Sequence, residues 1–131
     1  MKDVLVDTSV WSLALRRGQA SEVTTVLSEL IDQSRVRIIG PIRQEILSGI
    51  KSEAQYESLK AHLRSFPDIS IQTTDYEQAA IFFNQCRTHG IQGSHIDFLI
   101  CAVAFSNDLE IYTLDQDFIQ YARHLPILLL H

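Results

Sequence analysis

Acidic side chains recur at the edges of the apolar segments of this sequence. Asp7 ends the apolar run Val-Leu-Val and is followed directly by the hydroxyl residues Thr8 and Ser9. Asp97 opens an apolar helical segment, and Asp115 follows a second short apolar run, Ile-Tyr-Thr. A charge at the edge of a buried element is unfavourable unless it has a partner. The repetition suggests that these carboxylates share a metal site.

The chemistry of such a site follows from its ligands. Carboxylates that lie close together repel each other, which raises their pKa values and destabilises the fold unless a cation is present. Ligands that are all oxygen atoms, with no His or Cys at a suitable spacing, favour Mg²⁺, with Mn²⁺ as the alternative ion. Two such ions about 3.5 to 4 Å apart could activate a water and stabilise the leaving oxygen of a phosphodiester.

The elements that must position these acids alternate along the chain. We predict strands at residues 3–7, 36–39, 69–71, 111–113 and 127–130, with helices at 10–16, 23–31, 41–50, 56–66, 74–90, 96–105 and 116–122. A helix end is expected near Gly18, and Thr74-x-x-Glu77 resembles a capping box. Strands separated by helices imply a parallel sheet covered on both faces, a three-layer α/β/α domain with a central, mostly parallel sheet.

The predicted sheet would bring the acids together. Ligands of open α/β sheets bind outside the carboxyl ends of the strands. Asp7 and Asp115 both occupy such ends. Glu45, in the helix that begins at Pro41, and Asp97 can reach the same edge.

Length and composition indicate one domain. The chain has 131 residues, of which 46% are hydrophobic, enough for a single continuous core over residues 1–131. Asp3 and Asp7 interrupt the first apolar stretch, so we expect no signal peptide, no membrane span and a cytoplasmic location. Cys86 and Cys101 form neither a C-x-x-C motif nor a disulfide framework, and we expect both in the core.

Charge alone does not identify a nucleic-acid partner. The formal net charge is −5, whereas nucleic-acid-binding domains commonly carry a basic face. Six basic residues nevertheless concentrate in the middle of the chain and could guide a phosphate backbone past the site: Arg35, Arg37, Arg43, Lys51, Lys60 and Arg64. The five histidines are scattered without a metal-binding spacing.

Four motifs together resemble one known family. Val-Leu-Val-Asp7-Thr-Ser, Pro41-x-x-x-Glu45, Asp97-Phe-Leu-Ile-Cys-Ala and Thr-Leu-Asp115-Gln-Asp-Phe are similar, in order and spacing, to the PIN-domain nucleases, in particular to VapC-type toxins of type II toxin–antitoxin systems. The resemblance covers nearly the whole chain. It implies a Mg²⁺-dependent endoribonuclease that acts on RNA, is silenced by a cognate antitoxin in its active-site groove, and usually forms a homodimer.

The resemblance also assigns roles to residues. It implies a catalytic quartet of Asp7, Glu45, Asp97 and Asp115, with Asp7, Asp97 and Asp115 as metal ligands and no other cofactor. Asp117 either joins or replaces Asp115. Thr8, Ser9 and Thr113 would fix the carboxylates and the metal-bound waters.

Each residue has a structural alternative. Asp7 could be the N-cap of the first helix, Ser94 and Asp97 could form a capping box, and Asp115 could cap the short helix after it. Glu45 could be a solvated helix residue.

The motifs of three other protein classes fit this sequence less well. A haloacid-dehalogenase-like phosphatase needs a second acid where Ser9 stands. A response-regulator receiver domain needs an Asp after the middle strand and a late Lys, and neither is evident. A non-catalytic RNA-binding or scaffolding PIN domain would have no physical reason to keep all four acids.

Overall fold

A computed structural model describes residues 1–15 and 21–130 of the chain. Its elements, in chain order, are β1 (Val4–Val6), α1 (Thr8–Ala14), α2 (Glu22–Asp32), β2 (Val36–Arg37), α3 (Gly40–Leu47), α4 (Glu53–Leu63), α5 (Thr73–Thr88), α6 (His95–Ser106), β3 (Glu110–Tyr112), α7 (Asp117–Ala122) and β4 (Leu128–Leu129). Among the described residues no helix is long and apolar enough to cross a membrane.

The strands form a parallel sheet in the order β2-β1-β3-β4. All three residues of β1 are fully buried, although successive side chains of a strand point to opposite faces. Both faces of the sheet are therefore covered, as expected for parallel strands joined by helical crossovers. The predicted α/β architecture, a parallel sheet flanked by helices, is confirmed.

The strand order creates a crevice. The chain leaves β1 toward β2 on one side and leaves β3 toward β4 on the other, although β1 and β3 are neighbours. Connections that diverge from adjacent strand ends leave a gap between them, which is where ligands bind in open α/β sheets. Asp7 follows β1 and Asp115 follows β3, so both lie at this gap.

Most predicted helices are confirmed, with shifted ends. The second helix, the apolar helix α6 and the short helix α7 fall where periodicity places them. Seven successive residues of α6, from Phe98 to Ala104, are buried, which makes it the central helix of the fold. The first helix begins at Thr8 instead of residue 10, and its predicted end at 16–18 lies outside the described residues.

Two sequence predictions are wrong. Residues 69–71 form no strand, and the only pairing in that part of the described chain is a single bridge between Ile38 and Asp68.

The capping box of α5 begins at Gln72, two residues before the predicted Thr74-x-x-Glu77 box, and pairs Gln72 with Asp75. Asp75 accepts a hydrogen bond from the N–H of Gln72 at 2.9 Å, and another from Ser106 at 2.7 Å, at the far end of α6. This tertiary partner decides which acid caps the helix.

Candidate functional site

The four predicted catalytic acids line one pocket. Asp7, Glu45, Asp97 and Asp115 come from the end of β1, from α3, from the first turn of α6 and from the loop after β3. The pocket has a volume of about 350 Å³, and its remaining lining is mainly hydroxyl side chains. Acids from four distant stretches of the sequence thus converge, as the strand-end argument predicts.

Asp7 is held by two hydroxyl groups. Its carboxylate is buried, and Oδ2 accepts hydrogen bonds from Ser9 Oγ at 2.9 Å and from Thr113 Oγ1 at 2.8 Å. Although Asp7 occupies the N-cap position of α1, its side chain makes no capping hydrogen bond. Asp7 is therefore the N-cap of α1 by position, as the alternative predicted, but its side chain is oriented by the site hydroxyls and not by the helix.

The same hydroxyls tie the loop after β3 to Asp7. Ser9 Oγ accepts a hydrogen bond from the N–H of Leu114, and Thr113 Oγ1 accepts one from the N–H of Asp115, both at 3.0 Å. Each hydroxyl therefore donates to Asp7 and accepts from the backbone of this loop. As a result, the position of Asp115 is coupled to that of Asp7 across the crevice.

Asp97 is held in place through both its backbone and its side chain. Its N–H donates to Ser94 Oγ at 3.1 Å, which is one half of the capping box considered above. Its carboxylate does not complete that box, because Oδ2 accepts a hydrogen bond from the Tyr121 hydroxyl at 2.7 Å. The backbone N–H of Asp97 therefore helps to cap the first turn of α6, and its side chain lines the pocket.

The electrostatics of the pocket disfavour an ionised Asp97. Burial raises the pKa of the Asp97 carboxyl above its ordinary value, and the nearby charges of Asp115 and Asp7 raise it further. The hydrogen bonds from Tyr121 and Ser94 lower this pKa but do not cancel the increase. The pKa of the Tyr121 hydroxyl is itself raised, first by burial and then by its hydrogen bond to Asp97. Burial is the larger cause of both pKa shifts, and the neighbouring carboxylates add to it.

A tight acidic cluster lies at one side of the pocket. Carboxylate oxygens of Asp97, Asp115 and Asp117 all lie within 4.8 Å of one another. Asp115 Oδ1 also accepts a hydrogen bond from the N–H of Asp117 at 2.9 Å, so the prediction that Asp115 caps the start of α7 is partly confirmed. Asp117 therefore lies beside Asp115 in this cluster, while only Asp115 of the two lines the pocket among the described residues. Asp7 faces the same pocket from beyond the cluster.

Glu45 is the most loosely held of the four acids. It lies exposed on α3, and Thr8 Oγ1 donates a hydrogen bond to its Oε1 at 3.2 Å. Thr8, Ser9 and Thr113, the three predicted hydroxyl partners, therefore all contact a site carboxylate.

Sequence reasoning missed Tyr121. Its place three residues after Phe118 indicates only that it is buried, and nothing in the sequence pairs it with Asp97. It is fully buried, with its hydroxyl on the Asp97 carboxylate.

The six basic residues in the middle of the chain, which could guide a phosphate backbone, are mostly paired with acids. Four of the six form such pairs: Arg35 with Glu110, Arg37 with Asp3, Arg43 with Asp68, and Lys60 with Glu57. Arg43 also donates to the backbone oxygens of Leu63 and Phe66, which ties α3 to the end of α4. These four basic residues stabilise local structure instead of forming a free phosphate-binding surface.

Comparison with known proteins identifies the family. The sequence model of the PIN domain matches residues 4–124. The chain belongs to the PIN-domain family. The resemblance inferred from the four motifs is therefore confirmed, and the phosphatase and receiver-domain alternatives are wrong.

This PIN domain is similar to known proteins and to solved structures over most of its length and of theirs. The chain is 31% identical to "VapC ribonuclease Mb1587" of Mycobacterium bovis over 125 residues, which cover 92% of each chain. Among solved structures it is similar to FitAcB from Neisseria gonorrhoeae, with a TM-score of 0.79 and 20% identity over 98% of this chain and 96% of that one. A toxin–antitoxin complex from Klebsiella pneumoniae gives a TM-score of 0.68 at 20% identity, over 88% and 90%.

Proposed function

We propose that this PIN domain is a divalent-metal-dependent endoribonuclease and the toxin of a type II toxin–antitoxin module. The convergence of Asp7, Glu45, Asp97 and Asp115 in one pocket is the observation that carries the proposal. Membership of the PIN family and similarity to a relative named as a ribonuclease support RNA as the substrate. We further propose that residues 1–131 form a single nuclease domain that acts in the cytoplasm.

The donor atoms fit a hard cation in kind and in proximity. The cluster of Asp97, Asp115 and Asp117 offers oxygen ligands only, within 4.8 Å of one another, and no His or Cys of the described residues lines the pocket. Mg²⁺ and Mn²⁺ prefer oxygen ligands and are commonly held by a few carboxylates together with substrate phosphates. These three residues would hold the ion, with Asp7 facing it across the pocket.

The residues of the chain divide the work of hydrolysis. A bound ion would lower the pKa of a water and offset the charge that develops on the phosphate. Asp7 has its Oδ2 occupied by two hydroxyls, so Oδ1 is left to orient a water, and within the described residues it accepts no hydrogen bond. Glu45 is exposed and can take the proton of the attacking water as the oxygen–phosphorus bond forms. The bond from phosphorus to the leaving oxygen then breaks, and that oxygen takes up a proton from solvent.

The surroundings of the pocket support an antitoxin partner. A larger groove of about 960 Å³ adjoins the site and shares Ser12 and Glu45 with it. Its other lining residues include apolar side chains of α3 and α4, such as Ile46 and Leu59. A protein segment lying in this groove would contact Glu45 directly and block access of RNA to the acids.

A second apolar groove supports a homodimer. It has a volume of about 450 Å³, lies between α5 and α6, and is lined by Phe83 and by the exposed side chains of Tyr76 and Ile96. Sedimentation of the purified chain should give twice the monomer mass, and Tyr76→Glu should shift it to monomer. A monomeric wild type would refute this part of the proposal.

The test of the function is RNA cleavage by the purified full chain, prepared with its antitoxin and then separated from it. Structured and messenger RNAs should be cut in Mg²⁺ or Mn²⁺, and EDTA should stop cleavage. Asp97→Asn should lose activity, while Asp32→Asn, at an exposed position outside the pocket, should retain it and exclude a contaminating nuclease. RNA that is bound without cleavage would favour the non-catalytic alternative.

A further inference from the structure

We propose that Tyr121 is a positioning residue for the metal-binding cluster, and that Gly93 is required for it to act. This proposal rests on the proposed metal-dependent function, because it concerns how the same cluster is organised. The Tyr121 hydroxyl donates a hydrogen bond to Asp97 Oδ2 at 2.7 Å and so fixes the orientation of that carboxylate. Asp97 is the member of the cluster that α6 contributes, while Asp115 and Asp117 come from the segment after β3.

The tyrosine ring is rigidly held. It is fully buried, with its centroid 4.9 Å from that of Phe98 and 5.1 Å from that of Phe118. A fully buried ring that packs on two aromatic neighbours cannot turn away without disturbing the core, so the hydroxyl is directed at Asp97 before any ion binds.

Gly93 makes room for the hydroxyl. A Cβ at this position would lie 2.3 Å from the Tyr121 hydroxyl oxygen, 2.8 Å from its ring carbon Cζ and 2.9 Å from a ring carbon of Phe98. Real Cβ contacts are never this short, and neither ring is free to move aside. The absence of a side chain at Gly93 therefore allows the segment before α6 to lie against the tyrosine.

The arrangement gives α7 two tasks at one site. Its first residue, Asp117, supplies an acid to the cluster, and Tyr121, one turn later, holds the acid on the opposite helix. Without the hydroxyl, repulsion from Asp115 and Asp117 would turn the Asp97 carboxylate away while the site is empty. An incoming ion would then have to reorder it, and loss of such an orienting partner typically weakens metal binding about 10- to 100-fold.

The test is a Mn²⁺ titration of the purified full chain, followed by the paramagnetic signal of free Mn²⁺. Tyr121→Phe keeps the ring and removes only the hydroxyl, so we expect Mn²⁺ affinity to fall about 10- to 100-fold. Tyr112→Phe is the matched control, because Tyr112 is also buried but its hydroxyl donates to no site carboxylate in the described chain. RNA cleavage by Tyr121→Phe should recover at high Mn²⁺, which a general loss of structure would not allow.

Gly93→Ala tests the same hydrogen bond from the other side. It should also weaken Mn²⁺ binding. Gly93→Ala combined with Tyr121→Phe should lose less than the sum of the two single losses, because the shortest of the three contacts of the new methyl group is already gone, while those with Cζ of residue 121 and with Phe98 remain. The two changes are thus expected to be non-additive. Should Gly93→Ala fail to fold, Tyr121→Phe against Tyr112→Phe still decides the matter.

The outcomes separate this proposal from the proposed function. Wild-type Mn²⁺ affinity in Tyr121→Phe, or an equal loss in Tyr112→Phe, would overturn the role of Tyr121. Wild-type protein that binds Mn²⁺ but cuts no RNA would refute the ribonuclease function and leave the role of Tyr121 intact. Wild-type protein that binds no Mn²⁺ would refute the metal site and this proposal together.

Discussion

Asp97→Asn should make the metal-free protein more stable while removing its activity. The pKa of Asp97 is raised in the native state, so ionising this group destabilises the fold relative to the unfolded chain. An amide of the same shape carries no charge, and its oxygen can still accept the hydrogen bond from Tyr121. Loss of activity and gain of stability in the same variant would mark a site whose charge serves a cation.

The size of the gain follows from the cluster geometry. At 4.8 Å, the upper bound on the separations within the cluster, two unit charges repel by about 0.9 kcal/mol in the dielectric of water and about 3.5 kcal/mol at an effective dielectric constant of 20. The pocket is open to solvent, so we use the lower value for each of the two neighbours in the cluster, Asp115 and Asp117; the burial of the charge, which is the largest cause of the raised Asp97 pKa, adds to this gain. Against this, a charge-assisted hydrogen bond from Tyr121 becomes a neutral one, a loss of about 1 kcal/mol. A net gain of about 1 kcal/mol should raise Tm by about 3 to 5 °C in a chain of this length.

The assay is thermal unfolding in EDTA, from pH 7.5 down to about pH 4. Because a raised carboxyl pKa contributes stability at low pH and loses it as pH rises through the native pKa, the advantage of Asp97→Asn should be largest at pH 7.5. It should shrink as wild-type Asp97 takes up its proton. Added Mn²⁺ should reverse the order, because only the wild type keeps the complete cluster. An Asp97→Asn protein that is less stable than wild type at pH 7.5 in EDTA would refute this reasoning. Asp32→Asn, at the exposed C-terminal end of α2, should show no reversal of Tm order on addition of Mn²⁺.

Three further changes test other parts of the structure. Thr113→Val keeps the β-branched shape but removes a donor to buried Asp7 and an acceptor for a loop N–H, so urea unfolding should show a loss of about 1 to 3 kcal/mol and cleavage should fall. Asp75→Ala removes the acceptor for the start of α5 and for Ser106; we expect a similar loss of stability by urea unfolding, with cleavage per folded molecule unchanged. Glu45→Gln should retain Mn²⁺ affinity within a few-fold in the titration while single-turnover RNA cleavage falls by about 100-fold or more. Equal losses of Mn²⁺ binding and cleavage in Glu45→Gln would assign Glu45 to the ion.

The sequence allowed prediction of the site residues that depend on the ends of strands. Asp7 and Asp115 directly follow apolar runs, and a parallel sheet brings such positions to one edge whatever the details of packing. Asp97 could be predicted because α6 is apolar nearly all round, so an acid in its first turn stands out from the rest of the helix. Glu45 lacked such a signal and was identified only through the family pattern.

Features that depend on packing between helices could not be predicted in this way. The contact between Tyr121 and Asp97 joins residues 24 positions apart and depends on how α7 lies against α6. Asp75, not Glu77, stabilises the start of α5 because Ser106 is within reach in the folded chain. The segment at 69–71 has the alternation of a strand, yet its half-buried apolar side chains pack against the core without extending the sheet. Local pattern specifies which residues are buried, and tertiary contacts decide what they touch.

The acids of the site differ in how firmly they are held, and this difference is consistent with a division of labour. Asp7 is fixed by two hydroxyls, Asp97 by Tyr121 and Ser94, and Asp115 by the loop that those hydroxyls anchor. Carboxylates that hold an ion or orient a water work best when they are ordered beforehand, because an ion or water that must order its ligands binds more weakly. A proton acceptor has the opposite requirement, since it must pass its proton to solvent after each turnover. Glu45, exposed and held by one long hydrogen bond, has the freedom that this role demands.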